Sequence, residues 1–531
     1  MPDGSDLGVS ERLRSTAADV FGWRRLRPGQ LSAMEAVVRG RDALVVMPTG
    51  AGKSAVYQVA GLLMPGPTVV VSPLIALQRD QIAGLLSHDR APDAVAVNSA
   101  QAAGETEAAW DAVRHGDAEF LFLSPEQLAK DEVVERLASA APALFVVDEA
   151  QCVAAWGHDF RPDYLRLAQA VERLGRPPVL ALTATAAPPV REEIVRRLDM
   201  DDPALVVAGF DRPNIALEVR RFQEDADKRR AVVERAVAEP GPGIVYTATR
   251  RDAEEYAAEL AGLGLAAAAY HAGMPSGERS RVHDAFLAGE TDVVVATSAF
   301  GMGIDKEDVR FVLHASVPGS LDAYYQEIGR AGRDGAPAVA VLHYRHEDSA
   351  LQHLFARRAP DEEILGGVAE RIDHGPLSVD DIAERTGLSR RRVTAAVNLL
   401  EQTGAVRTDT DGRVGPVPGT TAGEGIARAA EEARSRDRLE RSRLEMVLGY
   451  AETTGCRRRC LLGYFGEPYE APCGNCDGCA PASAGDTVVD GVRESDDDRP
   501  VHPAADSYPA GALVRHREWG DGTVMSEEGD R

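Results

Sequence analysis

A chain of 531 residues exceeds one compact core and predicts about three or four folding units, with an apolar fraction of 44% to fill them. The formal net charge of −25 excludes a uniformly basic surface, so any contact with a polyanion needs local patches such as Arg390 to Arg392 and Arg457 to Arg459. The lack of an uncharged apolar run of about 18 residues argues against a transmembrane helix, and the polar, acidic start from Met1 to Glu11 does not read as a secretory signal.

From Asp42 to about Ala181, short β-like runs alternate with helical segments: Ala43 to Met47, Thr68 to Val71, Phe120 to Leu123, Leu144 to Val147 and Val179 to Leu182. None alternates strictly with polar residues, which predicts strands buried on both faces of a mostly parallel sheet. After the first run comes Met47-Pro48-Thr49-Gly50-Ala51-Gly52-Lys53-Ser54, followed by a helical segment. Glycines let backbone N–H groups turn toward phosphate, with Lys53 reaching the β- and γ-phosphates and the Ser54 hydroxyl ligating Mg²⁺. Met47 stands where the full phosphate-loop pattern has its first glycine, so a chance Gly/Lys turn is the alternative for this fragment alone. The fourth run ends in Asp148-Glu149-Ala150-Gln151. At a strand tip Asp148 can hold Mg²⁺ through water and Glu149 can polarise the attacking water; alone, the pair also reads as a solvated loop.

The same texture resumes at Gly243 to Tyr246, Ala266 to Tyr270, Asp292 to Ala296 and Phe311 to His314, after a turn-rich link from Gly209 to Asn214. This predicts two α/β lobes, 1–207 and 208–345, with a cleft between them. In Tyr324 to Arg333, Arg330 and Arg333 are three apart and would share a face if the segment is helical. Either can compensate γ-phosphate charge from across the cleft, or be an ordinary surface pair.

Texture changes near His346. Leu377 to Ser389 reads as a capped helix, a Gly-containing turn and a second cap; a helix from Arg390 to about Gln402 and a hairpin-like stretch at Asp411-Gly412 follow. This predicts a winged-helix-like domain at 346–425, which either binds DNA, with Arg390 and Arg391 in contact, or docks protein. A charged helix near Arg428 to Gly449 leads into a helical module at 426–482 that holds five of the 6 cysteines. Such clustering favours metal in a reducing compartment over a disulfide framework. Cys473, Cys476 and Cys479 at x2, x2 spacing supply three thiolates; Cys456 lies seventeen positions before Cys473, and Cys460 is a spare candidate. Four thiolates suit closed tetrahedral Zn²⁺, with an iron–sulfur cluster as the alternative. Arg457 to Arg459 could meet a phosphate backbone or form a plain solvated face. Residues 483–507 read as an acidic flexible linker and 508–531 as a partial small β module.

These motifs, in this order, closely resemble the RecQ family of DNA helicases within superfamily 2. The likeness runs over about residues 20 to 345 and resumes from Cys456 to Cys479. Leu26-Arg27-Pro28-Gly29-Gln30 resembles the segment whose glutamine reads adenine, and Val70 to Gln81 and Ser124 to Leu128 resemble segments contacting single strands. Leu182-Thr183-Ala184-Thr185-Ala186 is similar to the motif coupling hydrolysis to movement. Trp156-Gly157-His158-Asp159-Phe160-Arg161-Pro162 resembles the aromatic-rich loop that senses single-stranded DNA. Bases can stack on Trp156 and Phe160 and Arg161 can pair with phosphate, while lobe packing is the alternative use of those aromatics. Ala296 to Lys306 resembles a later motif, which brings Gly303 and Asp305 near nucleotide and makes Arg333 the better arginine finger, with Arg330 its ATP-side neighbour. The resemblance also assigns Cys456 as the fourth zinc ligand. Three departures stand out: Gln151 where the family usually has histidine, Ile328 for the usual threonine, and a winged helix before the cysteine module instead of after it.

The expected fold is α/β: two tandem RecA-like parallel-sheet lobes, then a winged-helix-like domain and a small four-cysteine zinc-binding helical module. The expected catalytic residues are Lys53, Asp148, Glu149, Arg330 and Arg333. ATP would be held by Gln30, Thr49, Gly50, Gly52, Lys53, Ser54, Gly303 and Asp305, and DNA by Trp156, His158, Phe160, Arg161, Arg390 and Arg391. Zn²⁺ would be held by Cys456, Cys473, Cys476 and Cys479, and Mg²⁺ by Ser54 and Asp148. The resemblance implies an ATP-dependent helicase, cytoplasmic and nucleoid-associated, moving 3′ to 5′. Its partners would be single-stranded and tailed or branched duplex DNA, with single-strand-binding protein or repair factors as protein candidates and no membrane. A DNA-stimulated ATPase that remodels or anneals strands, an RNA-dependent relative, which the aromatic-rich loop disfavours, and a zinc and winged-helix regulator with a dead motor are the alternatives.

Overall fold

A computed structural model describes residues 4–88, 90–99, 101–154, 164, 166–301, 304, 306–348, 362–373, 375–409, 412–417, 422–479, 513–516 and 520–523, in two units, 1–479 and 480–531. In the first unit, β1 (Ala43–Val46), β2 (Thr68–Val71), β3 (Asp93–Val97), β4 (Ala118–Leu123), β5 (Leu144–Val147), β6 (Val179–Thr183) and β7 (Ala204–Val207) form a 7-stranded sheet. Its order is β3-β4-β2-β5-β6-β1-β7, and every pair is parallel. The absence of alternation has a direct cause. Leu44 and Val46 enter one core, with the helices Ala103–His115 and Asp131–Ala140; Ala43, Val45 and Met47 enter another, under the helices Gln30–Val38 and Ser54–Gly61. Both faces of the central strands are therefore dry.

A second parallel sheet of 6 strands contains β8 (Ile215–Arg221), β9 (Gly243–Tyr246), β10 (Ala267–Tyr270), β11 (Val293–Ala296), β12 (Phe311–His314) and β13 (Ala338–Tyr344), in the order β10-β11-β9-β12-β13-β8. The strands that sequence texture missed have readable reasons. β3 is rich in small alanines, and β7 and β8 are edge strands whose exposure alternates, so they lack the continuous apolar signature of central strands. β13 is buried throughout, and its run Ala338-Val339-Ala340-Val341-Leu342 carried a signal that could have found it.

The winged-helix region comprises the helices Glu362–Ile372, Val379–Thr386 and Arg390–Gln402 and an antiparallel sheet of β14 (Leu377–Ser378), β15 (Val406–Thr408) and β16 (Arg413–Pro416), ordered β14-β16-β15. Ser378 starts the second helix by accepting from the Asp381 amide, and Val393, Val397 and Leu400 face a separate core. That core is completed by Ala429, Ala430 and Ala433 of a 31-residue helix, Ala422–Glu452, longer at both ends than sequence suggested. The cysteine module then adds itself to the edge of the second sheet. The Leu217 amide donates to the Asn475 carbonyl at 3.2 Å, and the Asp477 amide donates to the Leu217 carbonyl at 3.0 Å. One core runs from the first lobe through Phe210 and the second lobe to Leu461, Leu462 and Phe465 of this module. The second unit contributes β17 (Leu513–His516) paired with β18 (Gly520–Thr523). None of the described helices is long and apolar enough to cross a membrane.

Candidate ATP site and zinc centre

The first sheet places β5, β6 and β1 side by side, so their C-terminal tips deliver three segments to one edge: Asp148-Glu149, Thr183 to Ala186, and the phosphate loop. This is the crevice where open parallel sheets bind ligands. The Met47 amide donates to the Thr183 carbonyl at 3.0 Å, tying the loop to the neighbouring tip. Gly50 and Gly52 have φ of 77° and 78°, left-handed backbone that strains any side-chain-bearing residue. The helix Ser54–Gly61 starts directly after Lys53, so its N-terminus faces the loop.

Lys53 donates to the Met47 carbonyl at 3.2 Å, and burial lowers the pKa of its ammonium while Glu149 and Asp148 oppose that shift. Asp148 accepts from Gln81 Nε2 at 2.9 Å and from the Glu149 amide at 3.0 Å. Burial, with Glu149 alongside, pushes the Asp148 carboxyl up to about 6. Glu149 has φ of 50°, a left-handed conformation that costs a non-glycine residue energy. Its carboxylate accepts from Gln151 Nε2 at 2.8 Å, and Gln151 Oε1 accepts from Thr183 Oγ1 at 2.6 Å. The amide at the position where the family usually has histidine thus joins the β5 tip to the β6 tip.

Gln30 holds the loop itself. Its Nε2 donates to the Gly52 carbonyl at 2.8 Å and the Ala51 carbonyl at 3.2 Å, and its Oε1 accepts from the Arg27 amide at 2.7 Å. Both amide hydrogens are engaged, so toward a base this group has only acceptor capacity left. Gln81, at the end of the segment Val70 to Gln81, bonds Asp148. Thr49 and Ser54 are half-buried beside Lys53.

The two arginines of the second lobe do not share a helical face. The helix stops at Ile328, and Arg330 and Arg333 lie in the turns beyond it. The reason is the link between lobes: Arg212 donates to the carbonyls of Gly329, Ala331 and Gly332 at 3.1, 2.7 and 3.0 Å, and Asn214 Nδ2 donates to Gly332 and Ala336 at 2.8 and 2.9 Å. These carbonyls serve the link instead of a continuing helix. Arg330 is buried inside its lobe beside Tyr246 and Gly301. Arg333 instead reaches the first lobe, its Cδ 3.6 Å from where a side chain on Gly50 would begin, close enough for its charge to act on Lys53. Sequence reasoning missed Arg212 and Asn214 as supports because they read only as turn formers.

Trp156, His158, Phe160, Arg161, Gly303 and Asp305 lie outside the described residues. Arg390 and Arg391 are exposed at the start of their helix, with Arg390 paired to Asp380 at 3.1 Å. Arg457 and Arg458 correct the expectation of a basic patch, being buried at 4% and 3% exposure. Arg457 pairs with Asp477 at 2.9 Å, and Arg458 with Asp211 and, at 2.7 Å, the Ile215 carbonyl. A guanidinium so buried needs its partners, leaving no fork for a phosphate.

The sulfurs of Cys456, Cys473, Cys476 and Cys479 all lie within 4.8 Å of one another, with Cys460 outside the group. Zn–S bonds of about 2.3 Å place the corners of a tetrahedron about 3.8 Å apart, so small inward shifts suffice to close the site on Zn²⁺. Burial raises the Cys456 thiol, but hydrogen bonds from the Arg459 and Cys473 amides and from the Cys479 and Cys473 side chains together bring it down to about 7, toward the thiolate that zinc needs.

Four family models match in order along the chain: DEAD/DEAH box helicase at residues 27–194, helicase conserved C-terminal domain at 227–335, MarR family at 368–414 and RecQ zinc-binding at 421–480. The chain is similar to the probable ATP-dependent DNA helicase RecS of Bacillus subtilis, with 35% identity over 88% of this chain and 91% of that protein. It is also similar to the ATP-dependent DNA helicase RecQ of Pasteurella multocida, with 33% identity over 91% of this chain and 65% of that one. In fold it resembles the Mycobacterium smegmatis helicase Lhr bound to ssDNA and AMP-PNP, with a TM-score of 0.51 and 22% identity over 80% of this chain and 61% of Lhr. Two motor lobes followed by a four-cysteine zinc-binding cluster, matched nearly end to end by such a relative, mean that the chain belongs to the RecQ/RecS family of superfamily 2 ATP-dependent DNA helicases.

Proposed function

We propose that this chain is an ATP-driven translocase that moves 3′ to 5′ on single-stranded DNA and separates duplex or branched DNA in repair or recombination. The observation that carries this reading is the shared cleft: Arg333 of one lobe lies against Gly50 of the other, beside Lys53, Asp148 and Glu149. Lys53 neutralises the β- and γ-phosphates, Glu149 orients the attacking water, and Arg333 supplies positive charge from the second lobe. Ser54 and Asp148 would hold Mg²⁺, which would add charge compensation at the phosphates. The free acceptor capacity of Gln30 suits the exocyclic amine of adenine, and Thr49, Gly50 and Gly52 line the triphosphate. Arg330 steadies the Arg333 segment from behind, and Gly303 and Asp305 complete the nucleotide site from the second lobe. Alternating closure of the lobes on one strand converts hydrolysis into a step. With DNA as substrate, the place of action is the cytoplasm, on the nucleoid, alongside single-strand-binding protein or repair factors. The domain limits proposed above, 1–207, 208–345, 346–425, 426–482, 483–507 and 508–531, serve as boundaries for dissection.

Turnover of ATP with single-stranded DNA, with RNA and with neither, paired with strand displacement from 3′-tailed and 5′-tailed duplexes, tests the reading. We expect stimulation by DNA and displacement of 3′-tailed substrates; preference for the 5′ tail or for RNA refutes it. The same assay tests the loop from Trp156 to Arg161. Trp156→Ala should keep basal turnover and lose DNA stimulation, since base stacking is worth about 1–3 kcal/mol; undiminished stimulation refutes a sensor there.

One observation favours the alternative of a strand-remodelling ATPase with weak unwinding. The winged helix precedes the zinc module and is bonded to the first lobe by Arg166 and Glu401 at 3.0 Å. If its arginines still grip duplex, the double variant R390A/R391A should lower the salt dependence of duplex binding by about 2 log units per log unit of salt. An unchanged slope assigns that surface to protein.

A further inference from the structure

Arg191, on the helix Pro188–Arg197, has no part in the roles above, yet three bodies meet at its guanidinium. Its Nε donates to the Ala186 carbonyl at 2.8 Å, and its Nη2 donates to the Phe465 carbonyl at 2.8 Å. Its Cζ lies 5.7 Å from the centre of the Phe210 ring. Ala186 ends the segment that starts at the β6 tip, Phe210 belongs to the link between lobes, and Phe465 caps the helix Arg457–Tyr464 of the zinc module.

Each side of this junction is tightly built. On the ATP side, Glu149 accepts from Gln151, Gln151 accepts from Thr183, and the Thr185 amide donates to Thr183 Oγ1 at 3.2 Å, one residue before Ala186. Gln151, Thr183 and Thr185 are all buried, so this chain of bonds is shielded from water. On the other side, the Phe210 and Phe465 rings stack at 4.5 Å, the Phe210 amide donates to the Glu467 carboxylate, and Arg458 pairs with Asp211. Pro188 Cγ lies 3.0 Å from where a side chain on Gly466 would begin, so the zinc module also touches the Arg191 helix directly.

A guanidinium is a rigid planar fork, and one that bonds two carbonyls fixes their separation. The Phe465 carbonyl stands at a helix C-terminus, where a cation is favoured. Motion at the β6 tip therefore cannot occur without moving the link and the zinc helix, unless this fork breaks.

We propose that Arg191 is the positioning residue that passes closure at the ATP site to the interlobe link and the zinc module, setting how much duplex is opened per ATP. It touches neither nucleotide nor the residues assigned to hydrolysis. The inference rests on the motor reading, and its test has one readout independent of unwinding. Full-length wild type, R191M and R191K are compared for zinc content, melting temperature, hydrogen exchange of residues 208–212 with and without Mg²⁺ and the non-hydrolysable analogue AMP-PNP, and base pairs opened per ATP on a 3′-tailed duplex.

In wild type the analogue should slow exchange in the link. R191M should lose that response and open about five- to tenfold fewer base pairs per ATP, while its DNA-stimulated turnover stays within about twofold. R191K, which keeps the charge but loses the rigid planar fork, should fall between the two. An R191M whose link still responds to the analogue overturns the proposal, and so does one whose turnover and unwinding fall in proportion along with melting temperature. If wild type opens no duplex but its link responds and that of R191M does not, the coupling through Arg191 holds, and its consequence for duplex opening falls together with the helicase reading.

Discussion

Lys53→Ala is expected to abolish ATP turnover, lowering it by about 10³-fold or more, and to leave the affinity for single-stranded DNA unchanged. The ammonium is the cation of the first lobe placed between the phosphate loop and two carboxylates, and its present partner, the Met47 carbonyl, is one that a phosphate can replace. Without it, the first lobe loses the ammonium that offsets the repulsion of the triphosphate by Asp148 and Glu149. Arg333→Ala should cost about 10³-fold in turnover with a smaller change in the apparent affinity for ATP, because its charge comes from the opposite lobe. Turnover by both variants, read alongside binding of a labelled DNA strand, checks the pair. An active Lys53→Ala would sink the shared-cleft mechanism, and an active Arg333→Ala would move the finger to another residue. Arg330→Ala tests something different, since its buried guanidinium should affect melting as well as turnover.

Removal of the zinc ligand Cys476 is expected to unfold the module and to slow DNA-stimulated turnover, although none of the four cluster cysteines belongs to the phosphate loop or the acidic pair. Structural zinc in small modules contributes about 10–16 kcal/mol of apparent binding energy, so the loss of one thiolate outweighs the packing of a short helix. The consequence spreads through contacts specific to this fold. Cys476 bridges to Leu217 on edge strand β8, Asp477 caps Arg457 and the Val219 amide, and Arg458 holds Asp211 in the link. Cys476→Ala should therefore show less than one zinc per chain, a lower melting temperature and weaker DNA stimulation, with ATP binding retained. Cys460→Ala is its control, because that sulfur lies outside the cluster. A metal-free Cys476→Ala with normal melting and normal stimulation would show that the module does not brace the motor.

What could be read from the chain alone is what short range decides. Gly50 and Gly52 sit between a buried strand and a helix, and the left-handed backbone they allow is a local property. Asp148 at the end of an apolar run, and three cysteines with two residues between each, are equally local, so the phosphate loop, the acidic pair and three of the metal ligands were legible, while Cys456 over Cys460 came only from the resemblance. Tertiary structure decided what no spacing encodes. Arg458 meets Asp211 across 247 residues, and Arg212 claims carbonyls 117 to 120 residues away. One contact takes Arg458 out of what looked like a basic patch; the other goes with a helix that ends at Ile328, beyond which Arg330 and Arg333 part. Gln30 likewise closes on Gly52 because its helix is brought back over the loop. A charged side chain is the same letter in solvent or in the core, and only the partner brought to it by the distant chain settles whether it meets water, phosphate or protein.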